Sequence, residues 1–186
     1  VRVLSQRLDA TNTSTFRDLT EKNRQLQKAY DELKAAQEQI IEKERMEKEL
    51  RVAADIQMSI LPDRLPEPAG FDFGATMEPA RQVGGDFYDV FPLNENQIAV
   101  VIGDVADKGV PSAIFMARTH ALIMAESDSS TDPGKVLRVV NSHITRLEKS
   151  TQFVTVLYGV HDLQTRNFNN ARARHEPPLL HIRTAS

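Results

Sequence analysis

The 186-residue chain has no cysteine, which excludes disulfides, thiolate zinc sites, iron–sulfur clusters and a cysteine nucleophile. Any metal must therefore be held by oxygen or imidazole. Long apolar runs are also missing. The longest, such as Ile98–Ile102, falls far short of the roughly 18 residues a membrane span needs, and no apolar export segment opens the chain. No membrane span is expected, and a cytoplasmic protein is. Nor is there an excess of positive charge: 23 Lys and Arg face 26 Asp and Glu, a net charge of −3. A nucleic-acid partner is not expected from such a balance.

Glycine and proline are absent from residues 1–61, whereas all 8 Gly and all 9 Pro lie from Pro62 onward. The chain is thus built in two manners. Residues 1–62 are a balanced polyampholyte, and the excess negative charge lies in residues 63–186. In the first part Leu19, Leu26, Leu33 and Ile40 recur every seven residues, with Tyr30 and Ala36 partly filling the seam; this is coiled-coil spacing. Met46, Leu50, Ala53, Gln57 and Ile60 continue at steps of four and three in a different register, so a stutter or stammer lies between the two sets. A helix from Thr15 to Leu61 would extend roughly 70 Å at about 1.5 Å per residue, which predicts a dimerising rod rather than an ordinary globular helix. Pro62 stops it.

The second part alternates strands and helices. Phe71–Glu78, Asp86–Phe91 and Gln97–Gly103 read as three strands of an antiparallel meander, separated by Gly, Pro and Asn turns. A helix is expected from Pro111 to Ala125, with Ile114, Phe115, Ala117, Arg118, Ala121 and Leu122 mostly on one apolar face. Asp132 and Pro133 are an N-cap and first-turn pair for a second helix, in which Val136, Val139, Val140, Ile144 and Leu147 repeat at helical spacing. Phe153–Val160 and Phe168–Ala173 return to strand character, and another strand is expected to begin at Leu179–Ile182. The pattern is α+β, an antiparallel sheet with a helical layer.

Four aspartates fall into two clusters, Gly84-Gly85-Asp86-Phe87-Tyr88-Asp89 and Gly103-Asp104-Val105-Ala106-Asp107-Lys108-Gly109. Asp104 follows an apolar strand directly, beside the missing side chain of Gly103. Residues three apart on a strand point to opposite faces, so at most one of Asp86 and Asp89 shares a site with Asp104, and Asp86, after the paired glycines, is favoured. Hard divalent cations take oxygen ligands, but spacing alone equally fits turn aspartates that accept backbone hydrogen bonds. Gly103–Gly109 lacks the Lys-Ser/Thr ending of a phosphate loop. The histidines at 120, 143, 161, 175 and 181 show no metal spacing. Arg81 is placed to meet a phosphate, or is a solvated turn arginine.

The ordered series Ala54-Asp55-Ile56-Gln57, Ile60-Leu61-Pro62, Val83 to Asp89, Ile102-Gly103-Asp104-Val105, Lys108-Gly109, Phe115-Met116-Ala117, Asn141, Phe153-Val154-Thr155 and His175 before Pro177-Pro178 resembles one family. It is that of the PPM-type metal-dependent protein serine/threonine phosphatases, in the SpoIIE/RsbU-like branch that regulates bacterial stress and sporulation sigma factors. The resemblance covers roughly residues 52–182. It implies an antiparallel β-sandwich flanked by helices, and Mn²⁺ or Mg²⁺ held by Asp86, Asp104 and the backbone carbonyl of Val105, with Asp104 bridging two ions. It also implies a phosphorylated STAS-type anti-anti-sigma factor as substrate, while the heptad seam predicts a homodimer through the coiled coil. The domains expected are the end of an upstream sensor over 1–15, whose residues resemble the final helix of a cyclic-nucleotide-binding sensor or a HAMP-like exit, a coiled-coil linker over 16–62 from the heptad spacing, and the N-terminal portion of a phosphatase domain over 63–186.

Three departures accompany the resemblance. Ala106-Asp107 replaces the more frequent Ser-Gly. Arg174 stands where Gly is usual before His175, and a position chosen for positive φ resists Arg. The family's later Gly-Asp and Thr-Asp-Gly aspartates are not in this sequence, so the fragment is expected to be inactive by itself. From another class, a non-catalytic dimerisation and signal-relay module with a phosphatase-like fold is the competing reading.

Overall fold

The computed structural model describes residues 2–78, 82–147 and 152–181. It divides into two compact units, one up to Glu49 and one from Leu50 onward. Helix α1 spans Arg2–Met58. Over residues 14–49 its side chains are exposed all round: Leu19, Leu26, Leu33 and Ile40 are each more than half exposed. Ion pairs such as Glu21–Arg24 and Lys43–Glu47 follow helical spacing along its surface. The sensor exit expected over residues 1–15 rests on side chains that lie mostly outside the described residues.

The second unit begins with the last turns of α1. The helix tightens before Pro62 into bonds of three-residue span, Ile60 N to Gln57 O and Leu61 N to Met58 O, both 3.1 Å, and delivers Leu61 to the core. Four strands follow, β1 (Phe87–Asn94), β2 (Gln97–Val105), β3 (Val154–Asp162) and β4 (Phe168–Ala173), in one antiparallel sheet of order β1-β2-β3-β4. Helices α2 (Val110–Ser127) and α3 (Pro133–Leu147) stand between β2 and β3 in the chain. The α+β class with an antiparallel meander is realised, and the described strands form this single sheet. Phe87, Val101, Val105, Val156 and Tyr158 join Phe115, Met116, Ile123 and Val136 of the two helices in the buried core.

The caps follow the sequence. Asp132 Oδ1 accepts the Gly134 and Lys135 amides at 2.9 and 3.3 Å, starting α3 one residue later. The β3–β4 hairpin is organised by Asp162, whose Oδ1 accepts the amides of Gln164 and Thr165 and the Thr165 hydroxyl. These bonds, led by the Thr165 amide, hold the Asp162 carboxyl below the ordinary carboxylate range.

Three expectations are corrected. Phe71–Glu78 is not a strand: after Gly70 at φ +83°, Phe71 sets its ring edge-on against His161 at 4.8 Å. Side-chain packing there takes the place of a ladder. Residues 179–181 carry no strand, with Leu179 and Leu180 exposed, and Ile182 lies outside the described residues. In α2 the buried stripe is Ser112, Phe115, Met116, Thr119, His120, Ile123 and Ser127, while Ile114 faces out. Hydrophobicity misplaces that face because its polar members find partners inside. Thr119 donates to Phe115 O, and Ser127 bonds both Ile123 O and the Tyr158 hydroxyl. Burial pushes the Tyr158 phenol up, partly countered by Ser127.

Candidate metal centre

The site is assembled by two glycines and a strand register. β1 pairs with β2 so that Phe87 faces Gly103. A Cβ on Gly103 would lie 2.2 Å from the Phe87 ring, so only glycine lets that ring sink into the core while the next residue, Asp104, emerges exposed. Gly85 plays the matching part on the other segment. A Cβ there would lie 2.7 Å from Val105 Cβ and 3.0 Å from Val105 O, so the loop that carries Asp86 rests directly on the Val105 backbone.

Asp86 and Asp104 are thereby neighbours. Burial, then a hydrogen bond and repulsion from the Asp104 carboxyl, push the Asp86 carboxyl above its ordinary range, while the Lys108 ammonium draws it partly back. The two acids line a cavity of about 240 Å³ together with Gln57, Met77, Gly84 and Lys108. Among the described residues no third acid or imidazole completes a metal-sized cluster with them.

Asp89 goes to the other face, as strand alternation requires. It is buried, accepts the Val90 amide at 2.7 Å and meets His120 Nε2 at 2.7 Å. His120 is accordingly a core histidine, edge-on to Phe87. His143 lies 3.5 Å from Glu126, His161 packs on Phe71, and His175 Nδ1 lies 2.9 Å from Thr155 Oγ1. Arg81 lies outside the described residues.

Sequence reasoning missed the role of Gln57. Its side-chain amide donates to Gly84 O at 2.7 Å and accepts Gly84 N at 3.1 Å. This two-point clamp, buried at the end of α1, fixes the loop of Gly84-Gly85-Asp86. The available signal was a polar residue standing at an apolar-period position.

The two departures at usual glycines keep the glycine backbone. Asp107 has φ +75° and Arg174 φ +58°. Asp tolerates that region, and Arg adopts it at a cost, so the turn before His175 forms after all.

Residues 94–185 match the family model described as Stage II sporulation protein E (SpoIIE). The chain is 33% identical to Protein IcfG of a Synechocystis species, over 71% of this chain and 25% of that protein. It is 30% identical to phosphoserine phosphatase RsbU of Bacillus subtilis, over 69% of this chain and 38% of that protein. The chain thus spans well under half the length of these relatives. Among solved structures, the SiaA-PP2C domain of Pseudomonas aeruginosa is similar in fold, with TM-score 0.57 at 23% identity, covering 71% of this chain and 54% of that one. The glycine-framed aspartates, the helix-backed antiparallel sheet and these likenesses agree: the stretch over residues 94–185 is SpoIIE-like, in a chain similar in sequence to phosphoserine phosphatase RsbU and in fold to a PP2C domain.

Proposed function

We propose that this chain is part of a metal-dependent protein phosphatase that hydrolyses phosphoserine or phosphothreonine on a regulatory protein. The observation that carries this reading is the juxtaposition of Asp86 and Asp104 at one cavity, in a chain similar over most of its length to a phosphoserine phosphatase. Two carboxyls pressed together, one of them resisting ionisation, are a donor set that a hard divalent cation relieves. Val105 O, against which Gly85 packs, adds a neutral oxygen. Asp86, Asp104 and Val105 would hold Mn²⁺ or Mg²⁺, with Asp104 as the bridging ligand. When bound, such ions supply Lewis acidity and an activated water for attack on phosphorus. The protein's own part is positional: Gln57 sets the Asp86 loop, Gly103 lets Asp104 emerge, and Lys108 offers positive charge to an incoming phosphate.

The substrate class is a phosphorylated STAS-type anti-anti-sigma factor, which sets the reaction in the cytoplasm. Residues 1–15 are the exit of a sensor, 16–62 a parallel coiled coil that makes a homodimer, and 63–186 the N-terminal portion of the catalytic domain. The exposed seam of Leu26, Leu33 and Ile40 supports the dimer. Two acids and a carbonyl are a thin set for two hard cations, so the 186-residue chain by itself is expected to hold metal weakly and turn over little. The same shortage favours, as a second reading, a relay module that binds the phosphoprotein without cleaving it.

The test is phosphate release from a phosphorylated STAS-type protein by the chain within its complete domain. Release that needs Mn²⁺ or Mg²⁺ and stops with chelator supports the phosphatase. Binding without release supports the relay, and chelator-resistant release overturns the metal assignment.

A further inference from the structure

The residue opposite Asp104 leads to another part of the site. In the β2–β3 ladder the partner of Asp104 is Thr155, and such cross-strand pairs hold their Cβ atoms about 5 Å apart. Thr155 spends its hydroxyl on a distant ring, with Oγ1 2.9 Å from His175 Nδ1.

His175 is held there by more than one contact. After β4 ends at Ala173, Arg174 turns at φ +58° and forms an isolated bridge with Val156. Arg172 Nη1 then donates to the His175 carbonyl at 3.2 Å. A bulky residue in the left-handed region persists where its surroundings over-determine it, and such strain gathers at functional sites. The half-buried imidazole lines a cavity of about 450 Å³ with Met77, Tyr88, Asp86 and Asp104.

We propose that His175 is a phosphate-contacting residue, its Nε2–H donating a hydrogen bond to a non-bridging oxygen of the substrate phosphoryl group at the Asp86–Asp104 centre. This rests on the phosphatase reading above and goes beyond it. In the tautomer whose Nδ1 accepts the Thr155 hydroxyl, the ring carries its proton on Nε2, free to donate into the cavity. Thr155 fixes the ring angle, and is thus a positioning residue. The pairing also suits the ligand, because a phosphoryl group beside two aspartates needs donors that bring no further negative charge.

Asparagine and glutamine divide the imidazole between them, which makes the inference testable. His175→Asn can keep a polar atom for Thr155 and loses the outer end of the ring; His175→Gln keeps the reach and loses the anchor. The complete protein loaded with Mg²⁺ is titrated with inorganic phosphate while the histidine side chains are followed by ¹H–¹⁵N NMR. The kcat and KM for a phosphoserine substrate are then measured in the complete protein. The expected result is a shift of the His175 signals with phosphate while those of His143 and His181 stay in place. His175→Asn should weaken phosphate about tenfold and lower kcat/KM by about 10 to 100-fold, the scale of one charge-assisted hydrogen bond, and His175→Gln should recover part of both.

Should the Asn variant lose its cooperative thermal transition, Thr155→Val, which unties the ring and leaves it in place, should still weaken phosphate about threefold. Wild-type affinity and rate in His175→Asn, or better rescue by Asn than by Gln, would reduce His175 to a structural anchor and overturn the inference while the phosphatase stands. If the complete wild-type protein neither binds phosphate nor releases any from the substrate with either metal, the phosphatase reading fails and this inference with it.

Discussion

Asp86 and Asp89 stand three residues apart in the sequence, one just before β1 and one within it, and their surroundings differ sharply. Asp89 is buried against α2, where His120 and the Val90 amide occupy its oxygens. Asp86 is exposed and set against another acid, only partly offset by Lys108, on a loop that Gln57 clamps at Gly84. A carboxylate whose hydrogen bonds are filled from inside the fold contributes to stability. One left facing its own kind keeps an unmet demand for positive charge, which is what a ligand site requires. Substitutions on the two faces should therefore separate activity from stability.

The largest effect is expected on the ligand face. Asp104→Asn in the complete protein should lower metal-dependent phosphate release by about a thousandfold or more, through loss of charge at the proposed bridging position. Because Asp104 is exposed, its thermal midpoint should stay close to wild type. Full activity in that variant would remove the metal assignment. On the buried face the reverse holds. His120→Ala strands Asp89 without its partner and should cost about 3–5 kcal/mol in urea unfolding. A cost under about 1 kcal/mol would mean that water reaches Asp89.

Smaller changes probe the join between loop and strand. Gly85→Ala forces a methyl against Val105 Cβ and O and should cost about 1–3 kcal/mol, with a drop in activity as the Asp86 loop lifts off. An unchanged midpoint together with full activity would show that the close approach is dispensable. Gln57→Ala removes both bonds to Gly84 and should cost about 1–2 kcal/mol. Its activity should fall more than its stability alone explains, and equal, small losses in both would make Gln57 an ordinary core residue. The smallest effect is a gain. Arg174→Gly relieves a left-handed arginine and should raise stability by about 1 kcal/mol in thermal unfolding. Destabilisation instead would mean that the Arg174 side chain secures the turn.

Much of this arrangement was legible in the residues. Heptad spacing and the absence of glycine and proline before Pro62 mark the long helix, because helical backbone depends on local bonds and local propensities. Asp132-Pro133 starts α3 where a cap and a first-turn proline must, and alternation alone separates Asp86 from Asp89. Other features depend on what lies across the fold. Phe71–Glu78 has a strand's composition, yet its aromatic ring finds His161 and its backbone joins no ladder. The inner face of α2 is rich in hydroxyls that only buried partners make tolerable. Gln57 meets Gly84 across 27 residues, and Thr155 meets His175 across 20. Local order in this chain is written in its periodicity and its turn residues, since those forces act within a few positions. The company each polar group keeps was decided by the tertiary structure, because a buried hydrogen bond depends on distance in space and leaves no period in the sequence.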